Sequence, residues 1–493
     1  MSDRVITSSA SVLAVDLDGT LIRTDLLHES VLMLLKQNPL YLFLLPVWFL
    51  KGKAHLKQMI AQRVDLPVNL LPYNNELLDY LREQRQAGRR VMLATASNSR
   101  YAEAIAAHLG VFDLVLASDA ANNYSGSGKL AGIRKVLGDD SFSYAGNSAV
   151  DLPIWAEAEE AVLVNVAAGV RHKAERHTTV AKVFEHGGGY LKAFWRAMRP
   201  HQWLKNLLLF VPLVLSHELN EAQLVWQALL GFIAFSFCAS SVYLLNDLLD
   251  LVADRQHPTK RLRPFAAGDL PVVYGVVGMV LLLIAALLVA LQLPRFFVGV
   301  LSLYYLSTLA YTLWLKRAVL VDALLLAALY TLRLIAGAAA ISVLPSFWLL
   351  AFSMFTFLSL ALIKRYSELQ LLHARGQAQL VGRSYRAVDM ETLAQLGASS
   401  GFLAVLVLAL YINSSAVLEL YSRPEFLWLL CPMMLYWISR MWLLARRHEM
   451  HEDPVVFALT DRRTYWLALI ACIALGLATF WPFVHDQVPW LFE

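Results

Sequence analysis

Cysteine is scarce, with three in 493 residues. Cys238, Cys431 and Cys472 all sit in apolar stretches and form no CxxC pair, which excludes a disulfide framework and a cysteine metal knuckle. Charge is scarce too, at 16% of the chain, and unevenly spread. Residues 1–190 hold 19 Lys and Arg against 20 Asp and Glu, whereas residues 191–493 hold 23 against 18 over a much longer stretch. Both balances are too even for a nucleic-acid binder, although basic loops could meet anionic lipid heads. No cleavable leader is visible, because MSDRVITSS runs straight into a strand pattern. The first part is therefore expected in the cytoplasm. What the chain has in excess is apolar residues, 58% of the total. That excludes a single soluble domain, a disordered chain and a fibre.

The apolar excess falls after residue 205 as nine segments, roughly 206–216, 223–245, 272–293, 297–314, 319–340, 346–363, 396–412, 426–445 and 465–485. Most approach the 20 residues or so that cross a bilayer, and the first is short. With the N-terminus inside, the loops placed inside hold fifteen Lys and Arg, Arg375 and Arg383 among them. Those placed outside hold two, Arg295 and Arg423. That bias predicts a membrane protein with its soluble part on the cytoplasmic side.

Acidic residues at the end of a span need a reason. The second segment ends in Asn246 and Asp247, followed by Asp250 and Asp254. Spacings of three and four predict one helical face carrying three carboxylates, which repel unless a cation sits between them. Mg²⁺ takes oxygen ligands and keeps waters and substrate phosphates. Arg255, Lys260, Arg261 and Arg263 follow at once. Carboxylates beside cations suit a metal-bound diphosphate at the mouth of a helical bundle.

The run NDLLDLVADRQHPTKRLRPFAAG, with MRPHQWLKNLLLFVPL before it, resembles the first aspartate-rich motif of the UbiA superfamily of intramembrane prenyltransferases. The resemblance covers about residues 196–485. It implies an all-α transmembrane bundle of about nine helices. It also implies Mg²⁺ held by Asn246, Asp247, Asp250 and Asp254, with Asp247 and Asp250 at the chemistry. Aromatic prenyltransferases of that superfamily usually carry a second aspartate-rich motif. Here the corresponding run, YTLWLKRAVLVDALLLAALYTLRLIAGAAA, offers one carboxylate, Asp322, with Tyr311, Lys316, Arg317 and Arg333. That run, with LIKRYSELQ and DPVVFALTDRRTY, resembles the decaprenyl-phosphate phosphoribosyltransferase branch, whose members join phosphoribosyl diphosphate to a polyprenyl phosphate. The donor has two anionic ends. Asn246, Arg255, Lys260 and Arg263 are candidates for the diphosphate region. Lys316, Arg333, Lys364 and Arg365 are candidates for the 5-phosphate, with Tyr311 and Asp322 beside them. An acceptor phosphate is already a nucleophile and needs no strong base. An aromatic acceptor would have to lose a ring proton, which is the competing reading.

In the first part, VLAVDLD leads into Gly19 and Thr20. Thr95 follows the strand-like run 91–94, Lys129 lies in GSGKLAG, and YAGNSAVDLPIW comes later. These resemble, in order, the four motifs of haloacid dehalogenase-like phosphatases over about residues 10–180. Strand–helix alternation here predicts a doubly wound parallel α/β sheet with the site at the carboxyl ends of its strands, and the residue roles are what the resemblance implies. Asp16 would be the nucleophile and Asp18 the proton donor. Thr95 and Lys129 would hold the phosphoryl group, with Lys135 as a rival to Lys129. Mg²⁺ would lie among Asp16, Asp18, Asn147 and Asp151. Asn147 stands where that family often has Asp. Residues 25–88 would be a cap whose apolar pieces, 31–35 and 40–50, are too short to span. One of them is expected on the membrane surface or on the bundle, the alternative being a buried cap core.

The expected division is 1–185 phosphatase domain, 186–204 linker and interfacial segment, and 205–493 transmembrane transferase domain. Joined, the resemblances imply a bifunctional enzyme serving cell-envelope glycan synthesis. It would make polyprenyl-phosphate 5-phosphoribose and then remove the 5-phosphate. A soluble half serving only as a non-catalytic module is the remaining alternative.

Overall fold

The computed structural model describes residues 11–120, 122–185, 188–373, 384–450, 453–458 and 460–487. Arg375, Arg383 and the His186-Gly187 part of the expected linker lie outside them. The chain divides into two compact units, one of residues 1–198 with 243–279, the other of 199–242 with 280–493.

The first unit is built on six strands, β1 (Val12–Val15), β2 (Val91–Asn98), β3 (Leu114–Ser118), β4 (Phe142–Gly146), β5 (Glu160–Val164) and β6 (Thr179–Phe184). All are parallel, in the order β3-β2-β1-β4-β5-β6. This is the expected doubly wound sheet, with its order reversing between β1 and β4. β1 is buried on both faces, and its alternation divides the core. Leu13 and Val15 join one apolar cluster with Tyr101 and Ile105, while Val12 and Ala14 join another with Ile133 and Trp155. The sheet runs on to Phe184, so the fold reaches the glycine run.

The insertion after β1 carries α1 (Leu26–Gln37), α2 (Tyr41–Leu50) and α3 (Lys53–Ala61), followed by α4 (Asn75–Gln86). Asp25 caps α1, its carboxylate accepting from the Leu27 and His28 amides. α4 belongs to the sheet layers, since Leu77, Leu78 and Leu81 share the cluster of Leu13. The cap proper is therefore α1 to α3. Its small core gathers Leu34, Trp48, Leu56, Ile60 and Val64. The rest of α2 is not buried: Leu42, Phe43, Val47, Phe49 and Leu50 are exposed, Phe43 to 74% and Leu50 to 85%.

Eight helices among the described residues are long and apolar enough to cross a membrane: Ala222–Leu249, Val272–Ala290, Arg295–Leu313, Val321–Ala340, Phe347–Leu371, Ala387–Ile412, Pro424–Arg446 and Arg462–Trp481. The short first segment of the sequence is different. It folds as a 3₁₀ run, Pro200–Phe210, and a five-residue helix, Val211–Leu215. Within the second unit, Gly337 admits the Leu209 carbonyl so closely that a Cβ there would stand 2.0 Å from its oxygen. The small residues around it, Ala336 and Ala338–Ala340, permit that approach.

Candidate active sites

At the carboxyl end of β1, burial raises the Asp16 carboxyl above its ordinary range, against the pull of Lys129. Lys129, from the helix Ser127–Leu137, donates to Asp16 Oδ1 at 2.7 Å and to the Tyr144 hydroxyl at 2.9 Å. Its ammonium lies 3.9 Å from Asp151 Oδ1. Lys135 is on the same helix but exposed. Asp151 is buried after β4, its Oδ2 accepting from the Asn147 and Ser148 amides and the Ser148 hydroxyl, its Oδ1 from the Tyr144 hydroxyl at 3.0 Å. Gly19, at φ +76°, lets the Asn147 amide into the turn after Asp16; a Cβ there would meet Nδ2 at 2.1 Å.

Asp18 Oδ1 accepts from the Leu26 amide at 2.8 Å and Oδ2 from the Ser97 hydroxyl at 2.6 Å. Burial, then the nearby Asp25, push its carboxyl up to about 7, with those two donors working the other way. A carboxyl group near 7 can both give and take a proton at neutral pH. Thr95 is buried, its Oγ1 accepting from the Ser97 amide at 3.0 Å. Thus Asp16, Asp18, Thr95, Lys129, Asn147 and Asp151 converge at one end of the sheet. The sequence reading missed Tyr144, Ser97 and Lys57. Ser97, two residues beyond Thr95, had a positional signal. Lys57 had none: it comes from α3 and donates to the Ala96 carbonyl at 2.6 Å.

The aspartate-rich run, also in the first unit, departs from the single helical face expected. The long helix stops at Leu249, and a short one, Leu251–Gln256, starts after Asp250. Asp247 and Asp254 are buried and share Arg263, whose Nη1 lies 3.1 Å from Asp247 Oδ1 and 2.6 Å from Asp254 Oδ2. A guanidinium thus stands between two of the carboxylates. Asp250 is half-buried, 3.5 Å from the Lys36 ammonium. Arg255, a candidate for the diphosphate region, is buried and bound to Glu29. Lys260 is exposed.

In the second unit the cationic candidates form two groups. Arg365 is fully buried and donates to Asp322, Glu368 and the Tyr311 hydroxyl, while Tyr385 donates to Asp322 and accepts from the Leu320 amide. Arg333 donates to Asn206 Oδ1 at 3.0 Å, the Tyr304 hydroxyl at 3.1 Å and the Leu329 carbonyl at 2.7 Å. Beside Arg333's aromatic neighbour Tyr330, Asp453 Oδ2 binds both Lys205, at 2.9 Å, and Lys364, at 2.7 Å. Burial opposes the Asp453 charge, yet the two ammonium groups hold the carboxyl far below the usual range. Burial pulls Lys205 down to about 8. Lys205 and Asp453, absent from the sequence candidates, lie in the quoted runs LKN and DPVVF. Lys316 sits half-buried in the short turn Leu315–Arg317. The same unit holds an apolar cavity of about 660 Å³ lined by Phe352, Phe357, Trp437, Val455 and Leu475 among others. Val455, whose amide binds Asp453 Oδ1, links that cavity to the lysine pair.

Both aspartate sites offer hard oxygen donors suited to Mg²⁺. In the transferase run, Asn246 Oδ1 is buried with no hydrogen-bond partner among the described residues. Among those residues no three His, Cys, Asp or Glu side chains form a ready metal cage. Such an ion would share its shell with water and phosphate oxygens.

The geometry defines a phosphatase-type α/β site and a polar, cation-lined membrane bundle in one chain. The chain belongs to the UbiA prenyltransferase family, whose model matches residues 207–460. The haloacid dehalogenase-like hydrolase model matches residues 13–156. The protein is thus a multi-pass membrane enzyme joining a transferase to a phosphatase domain. It is 36% identical to the uncharacterized protein y4nM of Sinorhizobium fredii, over 94% of this chain and 90% of that one. It is 37% identical to the nodulation protein NoeC of Azorhizobium caulinodans, over 58% of this chain and 92% of that one. Decaprenyl-phosphate phosphoribosyltransferase of Mycolicibacterium smegmatis is 38% identical over 187 residues, 37% of this chain and 58% of that one.

Proposed function

We propose that the transferase half moves 5-phosphoribose from phosphoribosyl diphosphate to a polyprenyl phosphate, and that the phosphatase half then removes the 5-phosphate. The observation that carries this reading is the Lys205–Asp453–Lys364 cluster beside the apolar cavity, with Lys205 buried and its two partners half-buried. Two cations on one carboxylate keep net positive charge for a phosphate group, and an apolar space next to them suits a lipid acceptor. The similarity to decaprenyl-phosphate phosphoribosyltransferase supports the same pairing of substrates.

An oxygen of the acceptor phosphate attacks C1 of the ribose, the bond from C1 to the diphosphate oxygen breaks, and pyrophosphate leaves. Asn246, Asp247, Asp250 and Asp254 would hold Mg²⁺, and Arg263 is within reach to turn from the carboxylates to the diphosphate. In the second step Asp16 attacks phosphorus while Asp18 gives its proton to the departing ribose 5-oxygen. Asp18 then takes a proton from the water that hydrolyses the aspartyl phosphate. Lys129 offsets phosphoryl charge, and Thr95 orients it. Mg²⁺, when bound among Asp16, Asn147 and Asp151, would supply further charge neutralisation. The product is a polyprenyl-phosphoryl ribose, a lipid-linked ribofuranose donor for cell-envelope glycans. The bias of Lys and Arg toward one set of loops supports an inner-membrane location with both sites cytoplasmic. The exposed apolar residues of α2 support its lying on the bilayer surface.

The test supplies purified protein with phosphoribosyl diphosphate and a polyprenyl phosphate and weighs the lipid by mass spectrometry. Asp16→Asn should slow the phosphatase step by about four orders of magnitude and accumulate the phosphorylated lipid. The same final lipid from both proteins would refute the phosphatase assignment. A double Asp247→Asn, Asp250→Asn variant should form neither lipid.

A further inference from the structure

Glu29 takes no part in the phosphoryl chemistry, yet it is among the most deeply buried acids of the first unit. It lies on α1, and its carboxylate receives both terminal nitrogens of Arg255: Nη1 to Oε2 at 2.8 Å and Nη2 to Oε1 at 2.5 Å. The third guanidinium donor, Nε, binds the Ala266 carbonyl at 3.1 Å. A buried ion pair is a costly device for stability alone, because both charges leave water. Its bidentate geometry fixes orientation instead. Here it fixes the loop that follows the long helix, since Arg255 is the neighbour of Asp254.

The far end of α1 holds the same loop. Lys36 donates to the Leu249 carbonyl at 2.6 Å and faces Asp250 at 3.5 Å. The chain before α1 also presses on it, since a Cβ on Gly268 would meet the Arg23 side chain at 2.5 Å. The cap helix therefore grips the aspartate-rich loop at Leu249–Asp250 and again at Arg255–Ala266, on either side of Asp254. The first residue of α1 also binds Asp18 through the Leu26 amide.

We propose that Glu29 is a positioning residue of the diphosphate site: through Arg255, the phosphatase cap holds the transferase's aspartate-rich loop in its binding geometry. This rests on reading that loop as the diphosphate site. Arg255 thereby acts from behind the loop rather than as a ligand.

The test uses the full chain in lipid nanodiscs and Glu29→Gln, which removes the charge and keeps the volume. Titration with Mg²⁺ and inorganic pyrophosphate should show binding weakened about tenfold or more, as for other groups that orient metal ligands. Amide exchange over residues 250–266 should speed up. Hydrolysis of p-nitrophenyl phosphate should stay within twofold. A Glu29→Met, Arg255→Met pair guards against simple misfolding, because an apolar pair of similar size replaces a buried ion pair without loss of stability. It should keep the thermal midpoint and still bind pyrophosphate weakly. Wild-type affinity and unchanged exchange in Glu29→Gln would overturn the positioning role. Tighter binding in Glu29→Gln would also overturn it, because a released Arg255 would then be acting as a ligand. Wild-type protein that binds no pyrophosphate would instead overturn the diphosphate reading, and the positioning role with it.

Discussion

Lys205 and Lys364 share one carboxylate, and the sharing has a consequence for pH. Lys205 titrates near 8 because burial disfavours its charged form. As pH rises through that value it loses its proton, and with it the charge that attracts a phosphate. The Michaelis constant for the phosphorylated donor should therefore climb above pH 8. Lys205→Arg, which keeps its proton, should move that rise to higher pH. Lys205→Met should weaken donor binding by about 1.5–3 kcal/mol, the worth of a hydrogen bond to a charged group. A Michaelis constant flat from pH 7 to pH 9.5 in the wild type would speak against Lys205 as a ligand. At this scale much of the phosphatase site was readable. Asp16, Asp18 and Gly19 fall within four residues of one short motif, and Lys129, preferred over Lys135, is the lysine that contacts Asp16. What could not be read was pairing that the resembling motifs do not supply. Asp453 meets Lys205, and Arg255 meets Glu29 from 226 residues away. Neither pair leaves a local pattern, and both lysines and arginines carry equally plausible roles as topology anchors.

Among the elements, α2 is the one whose surface lacks an explanation inside the phosphatase fold. Trp48 turns into the cap core, while Phe43 and Leu50 turn out. Exposed Lys51 and Lys53 follow directly, as expected for a helix meeting anionic lipid heads. An environment-sensitive dye at Phe43→Cys, in a Cys472→Ser background, should be quenched by brominated lipids and not by aqueous iodide. Quenching only by iodide would place α2 in water. The apolar run predicted this helix because ten apolar residues without a polar face fit neither a span nor a normal surface helix. The break at Asp250 was less accessible. Helical spacing alone predicts one acidic face, whereas the helix breaks at Asp250, between two residues, Leu249 and Arg255, that hydrogen-bond to α1. The segment 206–216 was expected as a short span, and it folds as a tight 3₁₀ run, Pro200–Phe210, followed by the short helix Val211–Leu215, packed where Gly337 gives room.

At the scale of the molecule, α/β and helical-bundle architecture were both readable from charge density and periodicity, because bilayer and water demand different compositions. The division into compact units was not. The expected border near residue 185 treats the halves as successive beads, whereas the compact units interleave, residues 243–279 packing with residues 1–198. Interleaving of this kind depends on which surfaces pair after folding. It also changes what a cut would do. If a protease nicks the backbone at Gly188–Gly189, the severed N-terminal piece still has Glu29 and Lys36 fastened to a stretch lying downstream of the scission. The two fragments should therefore elute together from a sizing column, and separate once Glu29 and Lys36 are both replaced by Ala. Gene fission at that point would be tolerated, while simple deletion of the leading cistron would leave the remaining enzyme without its brace.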